Sequence, residues 1–354
     1  MRESALSAES FTVAFLPVYQ NPYQHLLTAE LEKQGVHVEH LAGMPPAAWL
    51  IRHRDRVPLL HLHWLYGLYM EHLLTPLRLA AFLARFYLAR RLGYRFVWTV
   101  HNLLPHRQPF PPLHRLVRRL VMDQASAVIT HCEYGRREIL RLFPSQVPVH
   151  VVPHGNYAGV HPLTVSRAEA RARLEIEPQQ FVYALLGNIS AYKGVESFVE
   201  SFQSSAGPDA VALIAGRNRA PALVDHLQDL AAGDARLQLH AGFIPDDEMQ
   251  HYLRAADVAI FCFREVLTSG SVILAMTYGL PVIAPERGCL PELVTPDAGL
   301  LYDPDDPAAL GSTLCRIRSL DTAEMGREAG RIAAAMRWQD VARQTAAIYR
   351  DCIG

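Results

Sequence analysis

The chain has 354 residues, which is too long for one ordinary hydrophobic core, so two domains are expected. Half of its residues are hydrophobic and 19% are charged, a composition typical of globular proteins. No apolar run approaches the roughly 18 residues of a membrane span, and residues 1–10 lack the basic-then-apolar pattern of a signal peptide. These features predict a cytoplasmic protein.

The net charge of −1 conceals a difference between the two halves. Residues 1–155 carry 17 Lys and Arg against 10 Asp and Glu, which gives +7, while the remainder has 17 against 25, which gives −8. This asymmetry predicts two domains with different partners, of which the basic one would face an anion or anionic lipid. The near-neutral total and the lack of a recognition motif argue against nucleic acid.

Residues 1–155 alternate short apolar runs with amphipathic stretches, a pattern typical of a parallel sheet covered by helices. The clearest helix begins at Thr75, an N-cap followed by Pro76, and continues to about Leu92. The predicted strands are Phe11–Val18, Val36–Leu41, Leu59–His63, Arg95–Val100, Ala127–His131 and Val149–Val152.

Residues 176–337 repeat this alternation and predict a second α/β domain, separated from the first by a linker at residues 156–175. The linker includes a short predicted helix at Ser166–Leu174. A Pro-rich turn at residues 303–307 is followed by a predicted helix beginning at Pro307, and the chain is predicted to be helical from there to its end. The predicted strands are Phe181–Leu186, Val211–Ala215, Leu237–Leu239, Val258–Phe263 and Val282–Ala284.

Histidines and asparagines gather at the predicted carboxyl ends of the first-half strands, the edge where open parallel sheets bind ligands. His61 and His63 share one face of a strand and could hold a metal, but no carboxylate or cysteine spacing completes such a site. Neutral hydrogen-bonding groups for sugar hydroxyls are the favoured interpretation, and no metal is predicted. The residues concerned are Asn21, His61, His63, His101, Asn102, His131 and His154.

Two loops of the second half suit a phosphate. In the first, Gly187 lets the backbone approach a ligand and Lys193 supplies a positive charge. The second is the corner Thr268-Ser269-Gly270-Ser271, where hydroxyls stand beside the unpaired amides of a helix start. Arg264 precedes this corner and adds a cation with bidentate geometry. Because both loops follow strands of one domain, phosphate binding is favoured over a surface lysine and an ordinary helix start.

Several short motifs occur in an order and spacing that is more specific than any one of them. Together they resemble the GT-B-fold glycosyltransferases of the family 4 type, also called group 1, over nearly the whole chain. The second-half motifs are Gly187-Asn188-Ile189, Lys193-Gly194, Ser269-Gly270-Ser271, Ala275-Met276, Gly279–Ala284, Gly288–Glu292 and Gly299–Tyr302. The first-half motifs are Thr99–Asn102, Pro105-His106 and Pro153-His154-Gly155.

The resemblance implies two Rossmann-like, doubly wound domains that face a cleft. It implies an acceptor-binding domain at residues 1–155, a nucleotide-sugar-binding domain at residues 176–337, and a final helix at residues 338–354 that crosses back onto the first domain. It also implies that no metal or other cofactor is needed, because Lys, Arg and helix-start amides neutralise the departing diphosphate.

The chain departs from the family where many members carry a Glu-x7-Glu pair. Val266 and Leu274 occupy those two positions, and Glu265 is the nearest substitute for the first glutamate. Asn188 stands where the family often has arginine, a charge that Arg264 would replace. These departures resemble a polysaccharide-assembly subgroup with a Ser-Gly-Ser corner.

The resemblance implies a role for each candidate residue. Catalysis is assigned to His101, Lys193, Arg264 and Glu265. The donor diphosphate is assigned to Gly187, Asn188, Lys193, Thr268, Ser269, Gly270 and Ser271. The acceptor or sugar side is assigned to Asn21, His61, His63, Asn102, His131, His154 and Glu292.

The predicted reaction moves a hexosyl unit from a UDP-sugar or GDP-sugar to a saccharide or polyprenyl-linked acceptor, with retention of configuration, in exopolysaccharide or glycoconjugate synthesis. Two alternatives stay open: a nucleotide-sugar epimerase and an inactive nucleotide-sugar-binding subunit. A basic face on the helices at 76–92 and 114–120 suggests peripheral contact with an anionic membrane, and the alternative is a solvated face over an ordinary core. That face comprises Arg78, Arg85, Arg90, Arg91, Arg95, Arg115, Arg118 and Arg119, with Phe82, Phe86 and Tyr87 as apolar neighbours.

Overall fold

The computed structural model describes residues 10–19, 21–70, 75–105 and 110–354. The chain divides into two compact units. The first unit comprises the chain up to Gly155 together with Arg337–Gly354. The second unit is Asn156–Met336. Residues 156–175, predicted as a linker, fall within the second unit.

A six-stranded parallel sheet forms the centre of the first unit, in the order β2-β1-β3-β4-β5-β6. Each predicted strand is confirmed and ends one or two residues earlier than expected, so the predicted polar site residues other than His61, which lies within β3, stand just beyond the strand ends. The strands are β1 Phe11–Leu16, β2 Val36–His40, β3 Leu59–Leu62, β4 Arg95–Thr99, β5 Ala127–Thr130 and β6 Val149–Val151.

Helices connect these strands and cover the sheet. Asn21 caps the first helix by accepting a hydrogen bond from the Tyr23 amide at 2.8 Å, which places Asn21 at the sheet edge beyond β1. The helix predicted from Thr75 is confirmed. The helices are α1 Pro22–Lys33, α2 Ala47–His53, α3 Tyr66–Tyr69, α4 Thr75–Arg91, α5 Pro111–Gln124 and α6 Glu133–Leu142.

The last helix of the chain, α15 Trp338–Ile353, belongs to the first unit and packs against α1. Its side chains join one hydrophobic core with the strands β1, β3, β4 and β5. Tyr349 is fully buried, and its Oη lies 2.5 Å from Nδ1 of His61. At the start of the helix, the Trp338 ring fills the space beside Gly155, where a Cβ atom would collide with it.

A second six-stranded parallel sheet forms the centre of the second unit, in the order β12-β11-β10-β7-β8-β9. Its edge strand β12 was not predicted as a strand, and β10 ends three residues earlier than expected. The strands are β7 Phe181–Leu186, β8 Ala210–Gly216, β9 Leu237–Ala241, β10 Val258–Ile260, β11 Val282–Pro285 and β12 Gly299–Tyr302.

Hydrophobic cores lie on both faces of this sheet because its strands other than the edge strand β9 are apolar at every position. Val182 and Ala184 pack into one core, while Tyr183 and Leu185 pack into the other. Both sheets are parallel and connected by helices, which confirms the predicted fold class of two doubly wound α/β sheets. The helices of this unit are α7 Arg167–Arg173, α8 Val195–Ser205, α9 Pro221–Ala232, α10 Met249–Ala255, α11 Gly270–Thr277, α12 Leu290–Leu293, α13 Ala309–Ile317 and α14 Thr322–Ala335.

Two helix starts in the second unit bear on the sequence predictions. Ser166 and Glu169 form a reciprocal capping box at α7, as the predicted helix there requires. The helix predicted to begin at Pro307 begins at Ala309, because the Asp306 carboxylate accepts a hydrogen bond from the Ala308 amide and holds a turn. Over the described ranges, no helix has the length and apolar character needed to cross a bilayer.

Candidate functional site

Three residues predicted to bind phosphate meet in the second unit. Lys193 Nζ donates a hydrogen bond to Ser271 Oγ at 3.2 Å, and a Cβ atom on Gly187 would lie 3.6 Å from each of these two atoms. Gly187 has a φ of +120°, which favours glycine. The loops after β7 and β10 therefore adjoin, and the space beside Gly187 is open to the lysine and the hydroxyl.

Lys193 is held in this position by the local backbone and by two aromatic rings. It ends a 3₁₀ turn at Ala191–Lys193, and Gly194 follows with a φ of +66°. Gly194 packs so closely on the carbonyl oxygen of Cys262 that a Cβ atom would collide with it. The Lys193 ammonium lies 4.8 Å from the Phe263 ring centroid and 5.8 Å from that of Tyr192.

Burial changes the pKa of Lys193. The residue is only 6% exposed, and desolvation lowers the pKa of its ammonium to about 8. Ser271, the hydrogen-bond partner of the ammonium, is neutral and cannot compensate the charge. An anion placed beside Gly187 would supply that compensation.

The start of α11 contributes backbone amides at the same place. Ser269 is its N-cap, and its hydroxyl accepts a hydrogen bond from the Val272 amide at 3.4 Å. Gly270 is the first helical residue, and a Cβ atom there would collide with the Tyr157 hydroxyl. The absence of a side chain at Gly270 thus lets the helix start pack against Tyr157.

In the described part of the chain, the side chains of the other predicted donor-side residues form no hydrogen bond or ion pair with Lys193 or Ser271. The Arg264 amide donates a hydrogen bond to the Tyr192 carbonyl oxygen at 2.9 Å. Arg264 is exposed, and its Nη2 pairs with Glu196 Oε2 at 3.2 Å. Asn188 and Glu265 are exposed, Thr268 is half-buried, and Val266 and Leu274, which replace the family glutamates, are half-buried as well. Glu292, predicted on the acceptor or sugar side, is exposed. Their predicted roles stay predictions.

A cavity of about 450 Å³ in the first unit collects three of the predicted acceptor-side residues, Asn21, His63 and Asn102, together with the predicted catalytic residue His101. The remaining lining residues are Tyr19, Trp64, Leu65, Tyr66, Gly67, Trp98, Pro105 and Arg118. Trp64 stacks on His101, with ring centroids 4.3 Å apart and planes inclined by 13°. Aromatic faces beside hydrogen-bonding side chains suit a small polar ligand such as a sugar.

His61, His131 and His154 lie behind this cavity in a continuous set of ring contacts. The centroids of His61 and His63 are 4.2 Å apart, and His131 lies 5.4 Å from His101 and 5.3 Å from His154. Burial lowers the pKa of all five histidines, to about 4 for His131 and to about 3 for His154. At neutral pH they are uncharged and act as hydrogen-bonding groups.

Trp64, Trp98 and Arg118 were missed as site residues by the sequence analysis. Trp64 directly follows His63 just beyond the end of β3, and this position could have predicted that Trp64 lies at the site. Arg118 was predicted on a basic surface face, and this is wrong because it is 97% buried. Phe82 and Phe86, predicted as apolar neighbours of that face, are core residues, as the alternative of a solvated face over an ordinary core requires.

Within the described ranges, no group of three or more His, Cys, Asp or Glu side chains is arranged to hold a metal ion. His106, part of a first-half motif, lies outside the described residues.

Two family models match the chain. The model described as "Glycosyl transferases group 1" covers residues 180–319, and the "Glycosyl transferase 4-like domain" covers residues 72–155. Together they take in the Lys193–Ser271 loops of the second unit and most of the histidine-bearing strand ends of the first. The chain therefore belongs to the group 1 glycosyltransferases with a GT-B fold.

Named relatives agree with this family, and solved structures agree with the fold. The D-inositol 3-phosphate glycosyltransferase of Mycolicibacterium gilvum is 28% identical over 71% of this chain, and the match spans 59% of that protein. The sucrose-phosphate synthase of Thermosynechococcus elongatus has a TM-score of 0.77 at 19% identity, covering 97% of this chain and 99% of that one. Anabaena HepE in complex with UDP-glucose has a TM-score of 0.74 at 17% identity, covering 96% and 99%.

Proposed function

We propose that this group 1 glycosyltransferase transfers a hexosyl unit from a nucleoside diphosphate sugar to a saccharide or lipid-linked acceptor in polysaccharide or glycoconjugate synthesis. The observation that carries the proposal is the convergence of Lys193 Nζ and Ser271 Oγ, 3.2 Å apart, beside the side-chain-free Gly187. A buried, uncompensated ammonium next to a helix start is the arrangement that a diphosphate requires.

The transfer breaks the bond between the anomeric carbon and the β-phosphate oxygen and forms a bond to an acceptor hydroxyl. Negative charge grows on the departing phosphate, so groups that bind it more strongly in the transition state lower the barrier. Lys193 and the amides at the Ser269-capped start of α11 have this role in the proposal. The acceptor hydroxyl loses its proton to the departing nucleoside diphosphate, and the sugar retains its configuration.

The protein supplies the positive charge in this mechanism, so the reaction is proposed to need no metal. Lys193 is the first cation, and Arg264 is the second once a diphosphate competes with Glu196 for it. A UDP-sugar is the favoured donor, because the structurally similar HepE was solved with UDP-glucose, and a GDP-sugar is the alternative.

The cavity of about 450 Å³ that is lined by His63, His101 and Trp64 is the proposed acceptor site. Its aromatic faces and its neutral histidines fit a sugar ring and its hydroxyls. His101 is neutral at physiological pH, so it orients the acceptor by hydrogen bonding. Glu265, exposed on the loop before α11, is retained as the candidate for contact with the transferred sugar.

The test is a donor panel of UDP-, GDP- and dTDP-hexoses, assayed with and without acceptor saccharides and with and without a chelator. Transfer or slow donor hydrolysis that persists with the chelator is expected, and the product's anomeric configuration reads out retention. Conversion of a donor to its epimer without acceptor would identify the alternative epimerase. Tight nucleotide binding with no turnover of any donor would instead identify an inactive subunit.

Lys193→Ala decides whether the phosphate assignment is correct. We expect a loss of about a hundredfold or more in turnover, because a charge that acts on the departing phosphate is removed. Gly330→Ala, an unstrained substitution within α14, is the matched control. A folded Lys193→Ala protein with turnover within a few-fold of wild type would show that the assignment is wrong.

Peripheral membrane contact through the first unit is a further part of the proposal. Leu77 is 70% exposed, and a cavity of about 670 Å³ beside it is lined mostly by apolar residues together with Arg78 and Arg85. Such a surface suits anionic lipid or a polyprenyl chain. Flotation with phosphatidylglycerol liposomes at low salt is the test, and recovery of all protein in the unbound fraction would exclude this contact.

A further inference from the structure

Arg118 is a buried cation that lines the proposed acceptor cavity of about 450 Å³ in the first unit. It belongs to α5 and is 3% exposed, and the cavity that it lines also contains His63, His101 and Asn102. The proposed mechanism makes no use of it.

The guanidinium of Arg118 has only neutral partners among the described residues. Its Nη1 donates to the Tyr69 hydroxyl at 3.1 Å and to the His114 carbonyl oxygen at 3.4 Å. Its Nε is buried and has no acceptor, and no described Asp or Glu forms an ion pair with it. Burial also keeps Tyr69 protonated and His114 uncharged, because it raises the pKa of the first and lowers that of the second.

An uncompensated buried charge is costly, so such groups in proteins are normally paired with an opposite charge. Arginine cannot escape this cost by losing its proton, because its intrinsic pKa is too high. The described cavity lining also contains no carboxylate that would repel an anion, and its histidines are neutral. Arg118 is therefore the one charge among the described lining residues.

We infer that the cavity binds an anionic group, a carboxylate or a phosphate, on the acceptor saccharide, and that Arg118 is its counter-charge. The sugar ring stands against Trp64 and Tyr19, whose rings are in edge contact at 5.4 Å. This inference rests on the proposed function, because it takes the cavity as the acceptor site. The substrate class would then be uronic acid or phosphorylated sugars.

The test uses the full chain and monosaccharide pairs that differ in charge: glucose, glucuronate and glucose 6-phosphate, at constant ionic strength. Trp64 and Trp98 line the cavity, so intrinsic fluorescence reports occupancy. Wild-type protein is expected to bind at least one of the anionic sugars about ten- to a hundredfold more tightly than glucose. The anionic sugar that binds with the higher affinity identifies the recognised group as a carboxylate or a phosphate.

Arg118→Gln is expected to abolish this preference and to leave UDP binding unchanged. Arg119→Gln is the matched control on the same helix, because Arg119 is exposed and bonds to Asp123 and to the Pro144 carbonyl. Arg118→Lys, which keeps the charge, is expected to retain part of the preference. It replaces the glutamine variant as the test if Arg118→Gln does not fold.

Three results would overturn the inference: equal affinity of the wild type for glucose and both anions, no binding of either anionic sugar, or a preference that survives in Arg118→Gln. Inorganic phosphate that binds as tightly as glucose 6-phosphate would also overturn it, because the cavity would then recognise the ion and not a saccharide. Failure of donor turnover alone would count against the proposed function and not against this anion preference.

Discussion

Lys193 Nζ and Ser271 Oγ lie 3.2 Å apart although 78 residues separate them in the sequence. Their contact joins two loops that follow different strands of one sheet, and Gly187 leaves the adjoining space empty. Because the partner of the ammonium is a neutral hydroxyl, the proposed diphosphate would be the anion that stabilises the charge of Lys193.

Nucleotide binding should take up protons near pH 8. The pKa of Lys193 in the protein without nucleotide is about 8, and a bound diphosphate would raise this pKa. UDP binding at pH 8 should therefore take up about half a proton. Uptake should vanish near pH 6.5, where the lysine is already charged, and affinity should fall above pH 8. Calorimetry in two buffers of different ionisation enthalpy measures this uptake. Lys193→Arg, which stays charged, should show none, and equal uptake by both proteins would contradict the assignment.

Lys193→Met should stabilise the protein while abolishing turnover. The lowered pKa means that the folded state disfavours the charged lysine, at a cost of about 3 kcal/mol well below pH 8. Allowing for the lost contacts with Ser271 and Phe263, we expect a gain of about 1–3 kcal/mol at pH 7. The difference should shrink as the pH rises from 8 toward 10, because the wild-type lysine then loses its proton. Urea unfolding at pH 7 and pH 9.5 tests this, and a variant less stable than wild type at both would refute it.

Gly187→Ala should impair donor use more than it impairs folding. The φ of +120° is unfavourable for alanine, at a cost of roughly 1–3 kcal/mol. The new methyl group would also occupy the space 3.6 Å from Lys193 Nζ and Ser271 Oγ. We expect the donor KM to rise by about tenfold or more, measured beside Gly330→Ala, which should be neutral or slightly stabilising. An unchanged donor KM would mean that the diphosphate binds elsewhere.

Glu196→Gln should improve donor binding if Arg264 is a diphosphate ligand. Glu196 holds Arg264 in an exposed ion pair, and such pairs contribute about 0.2–1 kcal/mol. Releasing the guanidinium should lower the donor KM by up to about fivefold. Glu200→Gln, on the exposed side of the same helix, is the control. Arg264→Gln with a wild-type donor KM would remove Arg264 from the site.

Both sheets could be predicted because most of their strands are largely apolar runs bounded by polar residues, and the histidines near the strand ends could be read directly. The edge strand β12 was missed because it has only four residues and begins with Gly299. The fate of Arg118 was harder to predict. Arginines at helical spacing indicate a basic surface, yet His114, Val117 and Val121 share the buried face of α5 with Arg118. The helical spacing of His114, Val117 and Val121 with Arg118 indicated that all four lie on one face of α5. Which face of a helix is buried is decided only by tertiary packing.

The first unit should lose stability in acid. Its five buried histidines have lowered pKa values in the folded state, about 4 for His131 and about 3 for His154, so below pH 6.5 the unfolded chain binds more protons. Stability is complete above that pH and is lost as the pH falls toward 4, by up to about 1.4 kcal/mol per pH unit for each group.

Urea unfolding at pH 7, 6 and 5 measures this slope. His131→Asn should reduce it by about one proton. A slope indistinguishable from zero would show that the histidine cluster protonates without loss of structure.

The helix α15 has a consequence for how the protein is made. Trp338, Val341, Ala346 and Tyr349 close the core of the first unit, yet they leave the ribosome only after the whole second unit has been synthesised. At translation rates of about 5–20 residues per second, the N-terminal sheet waits roughly ten to forty seconds with an apolar face uncovered. The second unit is continuous in sequence, so all of it is synthesised before α15. Chaperones in the producing cell would therefore meet this chain through its amino-terminal half.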